Sequence, residues 1–336
     1  MQIHENFPLK PYNTFGIDAK ARYFSTFSNT DELSELTSHD SQLTTLVLGG
    51  GSNILFTKDY DGTVLKNNIR GIDLQHEDEE HVYVKVGAGE NWHQFVLHCI
   101  GHNWAGIENL SLIPGNIGAA PIQNIGAYGV ELDEIFWSLE AFHLEEKRVH
   151  TFTATDCEFG YRDSVFKNRY KDQFAILSVT FQLRKRPIYH VSYGAITEEL
   201  EKMGVKELSI KAVSQAVINI RTSKLPDPQK IANAGSFFKN PEITTEKYEA
   251  LKLQFPTIVA YPLAKGTVKL AAGWMVEQCG WKGYRKGDAG CHAKQALVLV
   301  NYGNAKGDEI YELSENIYQS VNKKFGVLLE REVNII

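Results

Sequence analysis

The chain has 336 residues, with 35 Lys and Arg against 41 Asp and Glu, a net charge of −6, and it is 43% hydrophobic and 23% charged. This composition builds packed cores rather than a disordered tail, and the length suits two or three domains. There is no apolar run of about 18 residues to span a membrane, and no basic block to bind nucleic acid.

The opening MQIHENFPLKPYNTFG lacks a basic segment followed by an apolar one, so no secretory signal is expected. Cys99, Cys157, Cys279 and Cys291 form no C-x-x-C pair, and the histidines include no H-E-x-x-H. These features fit a reduced, cytoplasmic protein without a disulfide framework or a metal site.

Thr44 to Leu48 reads as a short buried strand that runs into Gly49-Gly50-Gly51. His81 to Gly87 alternates, with Val82, Val84 and Val86 on one face, and reads as a half-buried strand. Glu90 to Cys99 reads as a helix. Phe136 to Phe142 and Lys147 to Phe152 read as a hairpin, and Phe174 to Leu183 as an apolar strand. Beyond Arg184-Lys185-Arg186-Pro187 the texture changes. Helices are expected over Ser209 to Ile220, Thr245 to Phe255, Thr267 to Cys279 and Asp308 to Phe325. The last has Ile310, Leu313, Ile317 and Val321 on one stripe and Gly326 as its stop. A final strand is expected over Val327 to Ile336. The fold class is α+β, with a domain boundary near residues 185 to 205.

Three glycine-dense loops carry the functional signal. Gly49-Gly50-Gly51-Ser52-Asn53 follows a strand directly. Consecutive glycines let several backbone N–H groups converge on a phosphate without Lys or Arg. The second loop, residues 109 to 129, holds Pro114, Gly115, Gly118, Ala119, Gln123, Gly126, Ala127 and Tyr128. It is a poor strand, a poor helix and too apolar for a solvated loop; main chain lying against a flat ligand explains it. The third is Asn233-Ala234-Gly235-Ser236-Phe237-Phe238-Lys239-Asn240. Neither G-x-G-x-x-G nor G-x-x-x-x-G-K-[ST] occurs, so a nucleotide must be held in another way.

G-G-G-S-N at 49 to 53 and I-P-G-N-I-G-A-A-P-I-Q-N-I-G-A-Y-G at 113 to 129 resemble the flavin-binding half of UDP-N-acetylenolpyruvoylglucosamine reductases. F-G-Y-R-D-S at 159 to 164, S-K-L-P-D-P at 223 to 228, N-A-G-S-F-F-K-N-P at 233 to 241 and G-D-A-G-C-H-A-K-Q-A-L-V-L-V-N ending at Asn301 are similar to further motifs of that family, in its order. The resemblance implies a vanillyl-alcohol-oxidase-type (PCMH-type) FAD-binding domain of two subdomains, residues 1–70 and 71–186. A C-terminal α+β substrate-binding domain, residues 187–336, follows, with the last strand free to return to the FAD-binding part.

The implied reaction uses FAD and NADPH to reduce UDP-N-acetylglucosamine enolpyruvate to UDP-N-acetylmuramate, a peptidoglycan precursor, in a monomeric enzyme. His190-Val191-Ser192-Tyr193-Gly194 resembles the insertion of the longer form, whose tyrosine closes over the substrate. The first glycine loop has no histidine for covalent attachment, so FAD is expected to be non-covalent. An FAD-dependent oxidase of the same fold and a non-catalytic sugar-nucleotide-binding protein are the competing readings.

Reducing an enol ether conjugated to a carboxylate places hydride on the terminal carbon and negative charge on the carboxylate side. A permanently charged guanidinium can bind that carboxylate, and the resemblance gives this role to Arg162. A hydroxyl can donate a proton to the strongly basic enolate carbon, and the resemblance gives that role to Ser236. For the carboxylate that completes the trio, strand spacing alone leaves Glu330 and Glu332 equal, since both point to one face. The family places its glutamate before a valine, which selects Glu332, although Arg331 stands where family members often have proline. Lys224, Asn240 and Gln295 resemble diphosphate and sugar contacts, with Tyr193 folding over the diphosphate and Tyr128 also on the substrate side.

Overall fold

Apolar residues two apart in the first half of the chain pair across strands. The structure, a computed structural model, describes residues 2–38, 43–193, 195–263 and 266–336, so Gly194 of the tyrosine motif falls outside the described residues. The chain divides into two units. The first comprises Met1–Phe7, Ala21–Gly51 and Asp61–Ser223, and the second Pro8–Lys20, Ser52–Tyr60 and Lys224–Ile336.

Among the described residues the first unit contains two larger sheets, besides the short pair Gly126–Ala127 and Val130–Glu131. One has five strands in the order Arg148–Thr153, Phe136–His143, Phe174–Arg184, His81–Gly87 and Ile72–Glu77. Each neighbouring pair is antiparallel. Val82, Val84 and Val86 lie opposite Leu183, Phe181 and Val179, and all six are buried. The helix Trp92–Gly101 belongs to the same core through Trp92, Phe95, Val96 and Cys99. The Phe181 ring lies 5.9 Å from that of Trp92 and 4.9 Å from that of Phe95. Complete burial of such a ring contributes about 1.5–3 kcal/mol. The other sheet orders His4–Pro8, Lys20–Phe27, Tyr60–Asn67 and Thr45–Leu48, the last two parallel. The helix Thr30–Leu36 buries Leu33 and Leu36 with Phe27, Leu65 and Phe142, and Asn29 caps it by accepting from the Glu32 N–H.

The second unit orders Ala232–Ser236, Val298–Asn301, Ala289–Cys291 and Arg285–Lys286 in one sheet. Residues 8–20 are tied to this unit by buried amides. Asn13 Nδ2 donates to the Leu9 and Ile17 carbonyls, and Asn301 Nδ2 donates to that of Phe15. The long helix Gly307–Phe325 buries Ile310, Leu313, Ile317 and Val321, the stripe read in the sequence, and ends at Gly326.

Two expectations are corrected here. Thr267 to Cys279 is not one helix. Thr267–Leu270 is a strand between Glu242–Thr244 and Ala260–Pro262, and the helix covers only Ala272–Gln278. Val268 and Leu270 are buried on one strand face, so pairing wins over helix propensity. Val327 to Ile336 is not a continuous strand. It is strand at Asn334–Ile335, parallel to Ile54–Leu55, with an isolated antiparallel bridge from Arg331 to Phe238. All four cysteines are free thiols, and burial pushes those of Cys157 and Cys291 up to about 12. Among the described residues no helix is long and apolar enough to cross a membrane.

Candidate active site

In the first unit the two glycine loops lie main chain against main chain. A Cβ on Gly50 would sit 2.8 Å from Asn116 Oδ1 and 2.9 Å from Gly115 Cα. One on Gly118 would sit 2.7 Å from Ala88 Cβ. The second loop is laced to residues 88–92 by Gly118 N–H to the Ala88 carbonyl at 2.9 Å, Ile117 N–H to that of Glu90 at 2.9 Å and Trp92 N–H to that of Gly115 at 3.0 Å. Asn116 Nδ2 adds a bond to the Gly89 carbonyl at 2.7 Å. Pro114 and Ala119 are exposed, and Gly115, Gly118 and Gln123 are half-buried. Such a cradle, with little side-chain bulk, fits a flat cofactor held mostly by backbone. The Gly49 carbonyl accepts from Lys66 Nζ, and burial lowers the pKa of that ammonium, with Arg70 adding to the effect.

Arg162 closes the far end of the second loop. Its guanidinium donates to the carbonyls of Gly126 and Asn124 and to Glu131 Oε1, the last at 3.4 Å. It does not pair with Asp163, whose carboxylate accepts from Asn168 Nδ2. Arg162 itself is left-handed, with φ 54°. A non-glycine residue in that region is uncommon and clusters at functional sites. Gly126 and Ala127 pair with Glu131 and Val130, making the short hairpin that carries Tyr128 at its turn. The Tyr193 ring meets the Tyr128 ring edge to face, with centroids 6.5 Å apart.

In the second unit Ser236 ends a strand opposite Val298, after a register shift that begins at Asn233. Asn233 Oδ1 accepts from the Gly235 N–H, and its Nδ2 donates to the carbonyls of Pro226 and Ile231. One side amide thus joins the S-K-L-P-D-P and N-A-G-S segments. Beyond Ser236 the chain is held on both sides. Phe237 N–H bonds to the Leu297 carbonyl at 2.8 Å, and Glu332 N–H to that of Phe237 at 2.9 Å. Lys239 N–H bonds to the Glu330 carbonyl, and their side chains form an ion pair. Glu330 is therefore committed to Lys239, whereas Glu332 is half-buried on the segment paired with residue 237.

Arg331 anchors that segment to the long helix. It donates to Ser314 Oγ at 2.9 Å and Glu315 Oε2 at 2.6 Å, over the Tyr311 ring. Asn240 and Gln295 meet at the start of the helix Ala272–Gln278. Asn240 Oδ1 accepts from the Ala272 N–H at 2.9 Å, and a Cβ on Gly273 would lie 3.2 Å from Gln295 Oε1. Lys224 is exposed at the end of the helix Ile210–Lys224. Ser52 and Asn53 are half-buried, and Asn53 Nδ2 donates to the Glu332 carbonyl at 3.1 Å.

Residues 227–336 match the profile of the UDP-N-acetylenolpyruvoylglucosamine reductase C-terminal domain, and residues 22–150 match that of an FAD binding domain. A UDP-N-acetylenolpyruvoylglucosamine reductase from Amoebophilus asiaticus is 52% identical over 338 residues, covering 100% of both chains. The chain belongs to the UDP-N-acetylenolpyruvoylglucosamine reductase family. The reductase of Flavobacterium johnsoniae is 48% identical over 337 residues, again covering 100% of both chains. The crystal structure of the reductase from Thermus caldophilus has a TM-score of 0.71 at 24% identity, covering 100% of this chain and 99% of that one, a likeness of fold. The mixed strands and helices make an α+β fold, with an FAD binding domain and a C-terminal domain of the reductase family.

Sequence reasoning missed several groups around this site. Arg221, on the helix Ile210–Lys224, has a buried Nε with no hydrogen-bond partner among the described residues. Burial lowers its pKa, and the Arg162 charge adds to that effect while Tyr128 opposes it. Glu131 and Asn124, which hold Arg162, were also passed over. The missed signal was available for Arg221, a charge on the same helix face as the buried Val217, four residues earlier.

Gly118→Val tests the cradle. Its side chain cannot fit against Ala88 without moving the loop, at a cost of about 1–3 kcal/mol. Flavin retained after purification should drop by about tenfold or more, the change that each 1.4 kcal/mol makes in a binding constant. Full flavin content in this variant would show that the loop is not the cofactor cradle.

Proposed function

We propose that this chain reduces the enolpyruvyl ether of UDP-N-acetylglucosamine enolpyruvate to the lactyl ether, giving UDP-N-acetylmuramate for peptidoglycan synthesis. FAD, bound non-covalently and reduced by NADPH, supplies the hydride. Residues 1–70 and 71–186 serve the cofactor and residues 187–336 the substrate. The protein works in the cytoplasm as a monomer.

Each side chain has a physical task. Arg162 binds the substrate carboxylate and stabilises the charge that builds there. Its hold by the 124–131 loop fixes the guanidinium before substrate arrives, so little reorganisation is needed. Ser236 delivers the proton to the carbon beside the ether oxygen. Glu332 shares a proton with the enol oxygen and spares the site a dianion. Lys224 and Tyr193 meet the diphosphate, while Asn240 and Gln295 hold the sugar nucleotide. The observation that carries the reading is the pairing that fixes the Ser236 segment beside Glu332, with Glu330 drawn off by Lys239.

Anaerobic mixing tests it. NADPH should bleach the flavin absorbance, and UDP-N-acetylglucosamine enolpyruvate should restore it. Acid precipitation should release FAD into the supernatant. Flavin that stays with the pellet would contradict non-covalent binding. Flavin reoxidised by O₂ but not by the enolpyruvyl substrate would point to an oxidase.

A further inference from the structure

Asn109 sits in the short turn Glu108–Leu110 and is 1% exposed. Both hydrogens of its amide are used, each on a different stretch of backbone. One reaches the Tyr128 carbonyl at 3.0 Å and the other the His190 carbonyl at 2.7 Å. The first acceptor belongs to the glycine-loop hairpin, and the second lies three residues before Tyr193. One side chain therefore fixes both tyrosine-bearing segments.

The turn that carries Asn109 is itself held firmly. The Leu110 carbonyl accepts from buried Trp92 Nε1 at 2.9 Å. Ser111 Oγ meets Ser214 Oγ at 2.8 Å, both buried, which ties the turn to the helix Ile210–Lys224. Glu108 Oε2 accepts from the Gly106 N–H at 2.7 Å.

Two tyrosines hang from it. Tyr128 is left-handed, with φ 52°, a conformation that needs support in a residue with a side chain. Tyr193 is 50% exposed, and its Cβ lies 3.2 Å from the position a Cβ on Gly129 would take. Val191 and Tyr128 both pack on the small cluster of Ile196, Leu200 and Val217.

We infer that Asn109 is a positioning residue for substrate: its amide sets the Tyr193 segment against the Tyr128 hairpin, so that Tyr193 is in place when the diphosphate binds. The inference rests on the reading that Tyr193 touches substrate. Asn can do this because its NH₂ offers two donors from one planar group. Loss of the amide leaves two carbonyls to find other partners and lets the segments move independently.

The test is a double-mutant cycle on the FAD-loaded enzyme. Asn109→Ala should raise KM for the enolpyruvyl substrate about tenfold to a hundredfold, the scale of a lost buried hydrogen-bond partner. Flavin content and the rate of flavin reduction by NADPH should stay within about threefold of wild type. Amide exchange across residues 188–193 should speed up. In a Tyr193→Ala background, Asn109→Ala should raise KM no further, because the tyrosine it positions is gone. Effects that multiply in the double variant would overturn the inference. So would a normal KM in Asn109→Ala when Tyr193→Ala alone raises it. A normal KM in Tyr193→Ala would instead remove the reading of Tyr193 on which the inference rests. Asn109→Gln keeps both donors on an arm one methylene longer and replaces Asn109→Ala if that variant does not fold. It should raise KM by a smaller factor, and wild-type KM there would also reject the proposal.

Discussion

Ser236→Ala is expected to leave flavin reduction by NADPH nearly intact and to slow reoxidation by the enolpyruvyl substrate by about 10² or more, the scale of losing a general acid. The first step needs no proton at the sugar carbon, and the second does. The backbone around Ser236 is fixed by the Phe237–Leu297 and Glu332–Phe237 hydrogen bonds, none of which uses the hydroxyl. Alanine should therefore remove the proton source without moving its neighbours. Ser236→Cys should recover part of the rate, since a thiol also donates. Stopped-flow absorbance separates the two steps. If only the NADPH step slowed, Ser236 would be a cofactor-positioning residue and the proton would come from elsewhere.

Two glutamates two residues apart should behave oppositely. Glu332→Gln should slow flavin reoxidation by about 10² or more, the order of loss for removing one preorganised group at developing charge. Glu330→Gln should leave both half-reactions within about threefold of wild type, because its carboxylate is 67% exposed and paired with Lys239. It should instead lower the melting temperature, since Lys239, 9% exposed, loses its counter-charge. Equal kinetic losses in the two variants would mean that the ion pair, not Glu332 alone, supports the chemistry.

That contrast shows where the sequence was informative. Alternation over a strand with one buried face is strong, and Val82, Val84 and Val86 gave the His81–Gly87 strand directly. The long helix was equally plain, because its apolar stripe runs through four turns. Thr267–Leu270 was illegible for a physical reason. Four residues cannot separate a period of two from one of 3.6, and its partners are only three residues long. The glutamate pair could not be separated by spacing, since strand geometry treats both alike. The Lys239 pairing needed the fold, and so did Asn109, an unremarked amide whose two acceptors lie 19 and 81 residues away. The placing of residues 8–20 and 52–60 in the second unit was also out of reach, because it depends on partners hundreds of residues distant.

The parallel pairing of Asn334–Ile335 with Ile54–Leu55 has a consequence for synthesis. The Asn53 carbonyl accepts from the Asn334 N–H, and Thr57 N–H and Oγ1 both donate to the Ile336 carbonyl, 279 residues further along. At about 5–20 residues per second, roughly 15 to 55 s of translation separate the two partners. Throughout that interval the segment just after the three glycines has unmatched backbone groups and an apolar Ile54-Leu55-Phe56 run. A nascent chain of this protein is thus exposed to chaperones or to self-association before it can complete this pairing. Removing only residues 334–336 should leave the purified protein in that same unfinished condition.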